Sequence, residues 1–489
     1  MTAEVKVDQN RANQSVHGLK RACLSYGEVL AQSIAVIAPS TTPAANLGLI
    51  FASAGNGTWL SFLIGMVGLM FVAVNINQFA KRSASPGSLY SYIIKGLGAS
   101  SGVLSAWGLI LAYLFTGMST LCGFAIFSQS LLDQIHVHTN TLTLFALGTA
   151  LAWYVAYKDI QLSAKMMLLL EGFSMISILL LGLIIWAHKG FTIDLSQLTF
   201  KGTTPGGISL GVVLVVFGFS GFESATSLGD EAKKPLKNIP KSVMQSTIWC
   251  GIFFILMAYV EVLGFSGTSE NLAKSEEPLT FLANQAGVSF LGILISLGAM
   301  LSFFSCTLAC INPAARVLFM MARHGLFPSS MGRAHDTNLT PHLAIALCSL
   351  ITFLVPASLD LFSIKPFDTL GYTGTISTYG FLLVYILVAV AAPVYLYRLG
   401  KLRSVDIIFS LLAVGFMFIP ILGTVGIPGS TLFPVPPPPT NTFPYLFLLY
   451  LVVGFGWFVI QRLRYPKMVG TIHNSVDAIH ASFSETENL

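Results

Sequence analysis

Ten stretches of this chain carry no Asp, Glu, Lys or Arg: residues 29–80, 96–132, 134–157, 172–188, 202–222, 242–260, 278–315, 337–359, 369–397 and 407–461. A helix needs about 20 apolar residues to cross the hydrocarbon of a bilayer, and a spanning segment must satisfy its own backbone hydrogen bonds there. Runs of this length, in a sequence that is 54% hydrophobic and only 10% charged, predict membrane helices. They exclude an ordinary soluble domain, in which about a quarter of the residues are charged.

The first and last runs are each long enough for two passes. The pattern therefore predicts an all-α integral membrane protein with 12 transmembrane helices, near 26–50, 59–79, 101–128, 141–157, 167–187, 208–228, 243–265, 289–319, 342–362, 369–397, 405–427 and 443–461. An even count puts both termini on one side. With the N-terminus in the cytoplasm, 22 of the 26 basic residues lie inside and only Lys189, Lys201, Lys274 and Lys365 outside. Such asymmetry follows from the resistance of Lys and Arg in short loops to translocation. The expectation is a multi-pass protein of the cytoplasmic (inner or plasma) membrane with both termini cytoplasmic.

The net charge of +5 arises in those inner loops, where it suits anionic lipid headgroups. No clustered basic face of a nucleic-acid binder appears. The expected partners are the bilayer and a small molecule, without nucleic acid; oligomeric state has no signature. All six cysteines lie in or at the ends of apolar runs without paired ligand spacing, and read as small buried hydrophobes rather than metal or disulfide residues. No Ala-x-Ala cleavage pattern follows the first run, so the first helix is expected to serve as the start signal and to remain. Pro434–Pro439 reads as a stiff spacer before the last span. No nucleophile and base pair, phosphate loop or metal cluster is visible, so neither enzymatic activity nor a cofactor is expected.

Two spans look interrupted. In the first, Ala38-Pro-Ser-Thr-Thr-Pro43 sets two prolines around three hydroxyl residues, and proline removes a backbone donor and clashes with the preceding turn. In the sixth, Phe217-Gly-Phe-Ser-Gly-Phe222 sets two glycines among aromatics, and each glycine weakens a helix by roughly 1 kcal/mol. Spans one and six are equivalent members of two five-helix halves, and paired interruptions point to a transporter site built on an inverted repeat. Opened backbone survives in a membrane only where it lines a cavity or holds a ligand. An α-amino acid has matching ends: its carboxylate suits the N–H groups at Ser40, Thr41 and Thr42, and its ammonium suits carbonyls around Ile37, Phe217 and Ser220. Gly218 and Phe219 complete the sixth-span part of this expected site. Phe217 and Phe222 are the expected gating rings. The scarcity of buried acids argues against a polycationic substrate.

Further along, Phe217–Glu223 is followed by Gly229-Asp-Glu-Ala-Lys-Lys-Pro-Leu-Lys-Asn-Ile-Pro240, Asn312-Pro-Ala-Ala-Arg316 by Ala322-Arg-His-Gly-Leu-Phe-Pro328, and Phe79-Ala-Lys-Arg-Ser-Ala-Ser-Pro-Gly-Ser-Leu-Tyr90 forms an early inner loop. With these stretches the chain resembles, over nearly its whole length, the amino acid-polyamine-organocation (APC) superfamily of permeases, in its bacterial amino acid permease form. The resemblance implies a LeuT-type 5+5 inverted repeat plus two C-terminal helices, working by alternating access. The halves would be 23–187 and 208–397, followed by spans at 405–461 and flanked by tails 1–22 and 462–489. It also implies a gating role for Phe217 and a carboxylate site at Ser40, Thr41 and Thr42. Two departures stand out: Pro39–Pro43 replaces the Gly-small-Gly turn of many members, and Ser174 stands where some carry a fifth-helix lysine.

Three acids fall inside spans. Glu223 adjoins the sixth-span break, where burial favours the neutral form and suits proton coupling. Glu171 lies about one turn before Ser174 and is a second coupling candidate. Glu261, near the outer end of its span, is expected to snorkel to water. Ser302 and Ser305 lie one turn apart and could serve a sodium ion, although the proton is favoured. Arg316 and Arg323 are placed to pair with acids of the 229–241 loop when the inner gate is shut. The resulting expectation is a secondary transporter of an amino acid, with proton-coupled uptake first, an amino acid exchanger second, and a non-transporting sensor of the same fold third.

Overall fold

A computed structural model describes residues 18–275 and 277–484; the outer parts of both expected tails, 1–17 and 485–489, lie outside these. The described residues form helices without a β-strand, and one isolated bridge joins Leu24 to Ala232. In chain order the helices are α1 Tyr26–Ile37, α2 Leu47–Ala54, α3 Thr58–Ala80, α4 Leu89–Leu97, α5 Ala99–Asp133, α6 Thr141–Lys158, α7 Ile160–His188, α8 Leu195–Leu198, α9 Pro205–Phe219, α10 Pro235–Phe265, α11 Pro278–Gln285, α12 Ser289–Arg323, α13 His342–Leu361, α14 Pro366–Arg398, α15 Ser404–Val425, α16 Phe443–Arg464 and α17 Met468–Ser484.

Among the described residues, ten helical stretches are long and apolar enough to cross a membrane. The first, Tyr26–Ala80, holds 55 residues, and at about 1.5 Å per residue it is more than twice as long as the roughly 30 Å hydrocarbon. It turns at Gly55, whose φ of +53° suits a residue without Cβ. Helix α6 is not among the ten; Trp153, Tyr154, Tyr157 and Lys158 dilute its last turns.

The centre of the bundle is α5, which packs along α12 and α14. Small residues allow the approach: a Cβ on Gly380 of α14 would stand 2.5 Å from the Gly108 carbonyl of α5, the close backbone contact that membrane helices use where no hydrophobic force drives them together. The periphery carries exposed aliphatic rows, including Leu411 of α15 and Val452, Val453 and Leu463 of α16, as a lipid-facing surface requires.

Helix ends follow local chemistry. Ser25 and Glu28 form a reciprocal capping box at α1. Asp159 caps α7 through the Gln161 N–H at 2.8 Å, and Pro205 opens α9 in its first turn. The expected C-terminal tail contains α17, which buries Met468, Ile472 and Val476 at a spacing of four residues. This helix lies against α4. Burial pulls the Lys95 ammonium of α4 down to about 8, with Asp477 of α17 acting against that fall.

Candidate functional site

The first break is short. Helix α1 stops at Ile37 because Ala38 turns left-handed, with φ +47°, and returns its N–H to the Ile34 carbonyl at 2.9 Å. Thr41 folds back on Ala38 through its N–H at 3.0 Å and its Oγ1 at 2.8 Å. Pro43 does not prolong the break. It sits in the opening turn of the π-helical segment Thr42–Asn46, where a missing N–H is no loss. Ser40, Thr41 and Thr42 are all buried, and the Ser40 hydroxyl has no hydrogen-bond partner.

The second break starts three residues later than its sequence suggests. Phe217, Gly218 and Phe219 remain helical in α9; the chain departs at Ser220 and reverses at Gly221, with φ +90°, before a 3-10 turn over Ser224–Leu228. A single glycine inside a helix is tolerated at roughly 1 kcal/mol, whereas the reversal needs a positive φ that Gly221 supplies at no steric cost. Ser220 bonds its own helix, Oγ to the Val216 carbonyl at 2.9 Å. The Gly221 N–H goes to the Tyr385 hydroxyl at 3.0 Å.

The two breaks lie side by side. A Cβ on Gly218 would stand 3.2 Å from Thr42 Oγ1, and one on Gly221 would stand 2.1 Å from Val36 Cγ1. Ser224 Oγ donates to the Gln32 carbonyl at 3.2 Å, and Ser33 Oγ accepts from the Ala225 N–H at 3.1 Å. On α12, Cys306 reaches the Val36 carbonyl at 3.3 Å. The three rings expected here separate. Phe217 is half-buried, its tip packs against Gly374 of α14, and it borders a recess of about 200 Å³ shared with Asn46, Leu49, Leu370 and Thr378. Phe219 instead stands edge-on to Phe254 at 5.0 Å, and Phe222 packs on Tyr385 at 5.3 Å, both fully buried.

The acids form distinct clusters. Glu223, fully buried, accepts from the Tyr113 hydroxyl of α5 at 2.7 Å and the Tyr385 hydroxyl of α14 at 2.6 Å. Glu171 on α7 accepts from Ser302 of α12 at 2.9 and 3.1 Å. Ser174 packs on Gly298 of the same α12. The hydroxyls of Ser174 and Ser305 are buried, and Ser305 lies beside the Glu171 carboxyl. Glu261 does not snorkel: its side chain is fully buried in α10 and neither oxygen finds a donor. The outer segments packed over this end of the span, including α11, close the route to water that its sequence position suggests. Among the described residues, no cluster of His, Cys, Asp and Glu is arranged to hold a metal ion.

Below the breaks, the three motif stretches converge. Arg316 holds Glu231 through Nε at 3.0 Å and Nη2 at 2.6 Å. Ser88 meets Thr226 at 2.5 Å, Tyr90 meets His324 at 2.7 Å, and a Cβ on Gly229 would strike the Ser85 backbone at 2.2 Å. The chain before α1 seals the arrangement: the Leu24 N–H goes to the Glu231 carbonyl and the Lys233 N–H to the Leu24 carbonyl, both at 2.8 Å, and Lys20 reaches Asp159 at 2.9 Å.

Sequence reading missed Tyr113 and Tyr385 as partners of Glu223; a tyrosine in the apolar middle of each of two spans was the available signal. It also missed the polar bracket in which Gln32 donates to the Ala309 carbonyl at 2.7 Å and Asn312 donates to Ser163 at 2.9 Å.

An apolar helical bundle whose two interrupted spans meet break to break is a multi-pass membrane transport protein. The chain belongs to the amino acid permease family, whose model matches residues 28–467, so the resemblance to the APC permeases holds and the class is one of transporters, not enzymes. It is 25% identical to the branched-chain amino acid permease BcaP of Bacillus subtilis over 438 residues, covering 86% of this chain and 85% of that protein. It is 23% identical to the methylthioribose transporter of Bacillus subtilis, covering 59% of this chain and 64% of that protein. It is also 23% identical to the low-affinity putrescine importer PlaP of Escherichia coli, covering 68% and 74%.

Proposed function

We propose that this protein is a twelve-helix permease of the cytoplasmic membrane, with both termini inside, that carries a neutral amino acid by alternating access. Two passes within Tyr26–Ala80 and one by α6 bring the ten candidate stretches to twelve. The halves 23–187 and 208–397 then form a LeuT-type inverted repeat, followed by α15 and α16.

The observation that carries the reading is the approach of Gly218 to Thr42 beside the unpartnered Ser40 hydroxyl. There the ligand carboxylate meets the backbone N–H groups of Ser40 and Thr42, with the Thr41 N–H joining them once it leaves the Ala38 carbonyl that holds it at 3.0 Å, and the ammonium meets carbonyls of Ile37, Phe217 and Ser220. Gly218 keeps the approach open, Phe217 covers the site from outside, and Phe219 and Phe222 hold the broken segment against α10 and α14. A neutral and apolar substrate side chain suits a surround of Val36, Phe217 and Cys306, and the branched-chain permease relative favours the same class.

Coupling to protons is our first choice, with Glu223 as the main carrier and Glu171 the second; Ser174, Ser302 and Ser305 line the Glu171 pocket. One observation favours exchange instead: Glu223 accepts two tyrosine hydroxyls, and donors of this kind stabilise its anion and oppose release and uptake of a proton.

The site is tested by thermal stabilisation of purified protein with a panel of amino acids. Branched-chain and other neutral apolar amino acids are expected to raise the melting temperature, and Thr42→Phe is expected to abolish the rise. Retained stabilisation in Thr42→Phe would move the site elsewhere.

A further inference from the structure

Glu261 is unlike the other acids of the bundle. Glu223 has two tyrosines, Glu171 has Ser302 and Asp406 has Arg403, while both oxygens of Glu261 are buried without a donor. Its place is specific. Phe254, Ala258, Glu261 and Phe265 share one stripe of α10 at helical spacing. At one end of the stripe Phe254 meets Phe219 of α9, and at the other Phe265 meets Phe281 of α11. The same helix packs against the π segment Thr42–Asn46 that restarts the first span. Both interrupted spans thus border the helix that carries Glu261.

Among the described residues none donates to Glu261; Lys189 comes to this end of α10, but its ammonium goes to the Ser266 carbonyl just past the helix at 2.7 Å. The packed segments 42–46, 58–80, 205–219, 224–228 and 278–285 contain no ionisable residue. On α10, Lys237 and Lys241 stand at the far end and Tyr259 is engaged with the Asp194 N–H. Cys250 lies three turns away. On α7, Lys165 is at the far end, Glu171 is held by Ser302, and His188 is exposed. The ionisable groups of α1, Tyr26 and Glu28, and Arg316 and Arg323 of α12 also lie at the far ends. An anion without a donor in such surroundings is far costlier than the neutral acid.

We propose that Glu261 is a proton-binding site whose occupancy is the condition for closing the outer half of the transporter. The inference rests on the alternating-access reading above and adds a residue which that reading does not use. When the outer half opens, water reaches the carboxyl, its O–H bond breaks, and the proton leaves as hydronium while the hydrated carboxylate remains. Closing takes one proton back from external water before the site is dehydrated. Above the ordinary carboxyl pKa of about 4.3, the open to closed ratio therefore rises roughly tenfold per unit of external pH.

Thr375 lines the outer recess beside Phe217 and can report closure. A bimane fluorophore attached through Thr375→Cys in proteoliposomes is quenched by external iodide, and the quenched fraction is read against external pH at fixed internal pH. The expected result is a one-proton slope that survives in a Glu223→Gln background and vanishes in Glu261→Gln. A flat profile in protein carrying Glu261, or a slope that persists in Glu261→Gln, overturns the proposal. If Glu261→Gln fails to fold, the Glu223→Gln and Glu171→Gln derivatives of the Glu261 protein decide: a flat profile in either one overturns the proposal, and a one-proton slope in both supports it. Absence of amino acid transport with the slope intact would sink the functional reading and leave the proton site standing.

Discussion

Arg316 donates through both Nε and Nη2 to a single oxygen of Glu231, with each side chain only 1% exposed. The second oxygen of Glu231 has no partner. The pair joins α12 to the segment after the sixth-span break, and the bridge between Leu24 and Ala232 lies beside it. It is a buried ionic link between these two segments.

Removing one member of such a pair leaves an uncompensated charge, so Arg316→Met should destabilise the protein by about 3–5 kcal/mol. Adding Glu231→Gln should restore most of the loss, because the stranded charge disappears. Thermal unfolding of the two single variants and the double variant checks this; a double variant as unstable as the sum of the singles contradicts it.

Gly221 and Gly218 should respond differently to alanine. Gly221→Ala places a Cβ at φ +90° and 2.1 Å from Val36 Cγ1, and backbone strain of this kind costs about 1–3 kcal/mol before the clash is counted. A lowered melting temperature, partly recovered by Val36→Ala, is expected. Gly218→Ala meets only Thr42 Oγ1 at 3.2 Å and should leave stability within about 1 kcal/mol while weakening amino acid stabilisation of the protein.

Glu223→Gln should weaken the response of uptake to a proton gradient and leave counterflow exchange largely intact. Tyr385→Phe removes a donor to Glu223 and the acceptor for the Gly221 N–H, a loss of about 1.5–3 kcal/mol for a bond to a charged group. It should lower both transport modes. Gradient dependence in Glu223→Gln equal to the parent removes Glu223 from coupling.

Lys95 gives a pH prediction outside the spans. Its ammonium is pulled down to about 8 in the folded protein from an ordinary value near 10.4. Between those values the unfolded chain binds more protons, so this residue makes the protein more stable as pH rises from about 8 to 10. The melting temperature of Lys95→Met should lack that part of the rise; identical pH profiles contradict the assignment.

The apolar runs located the helices because hydrophobic length and charge exclusion are one-dimensional properties of the sequence. The break at Ala38–Thr41 was legible from Pro39, a helix breaker that acts locally and needs no distant partner. The break of the sixth span was placed too early because composition marks both Gly218 and Gly221, whereas only the fold decides which one must take a positive φ. Glu223 stood out as an acid in an apolar run, but its two tyrosines come from α5 and α14, far away in sequence, and no local pattern reveals such pairing. Glu261 was misjudged in the same way: nearness to the outer end of a span suggested water, and the segments that cover it are distant in the chain.

Accumulation of labelled amino acids in proteoliposomes, under imposed proton, sodium or trans-substrate gradients, tests the transport reading most directly. Neutral apolar amino acids should accumulate under an inward proton gradient, and Thr42→Phe should abolish accumulation. No accumulation of any common amino acid under any gradient, in vesicles shown to hold folded protein, contradicts amino acid transport by this chain.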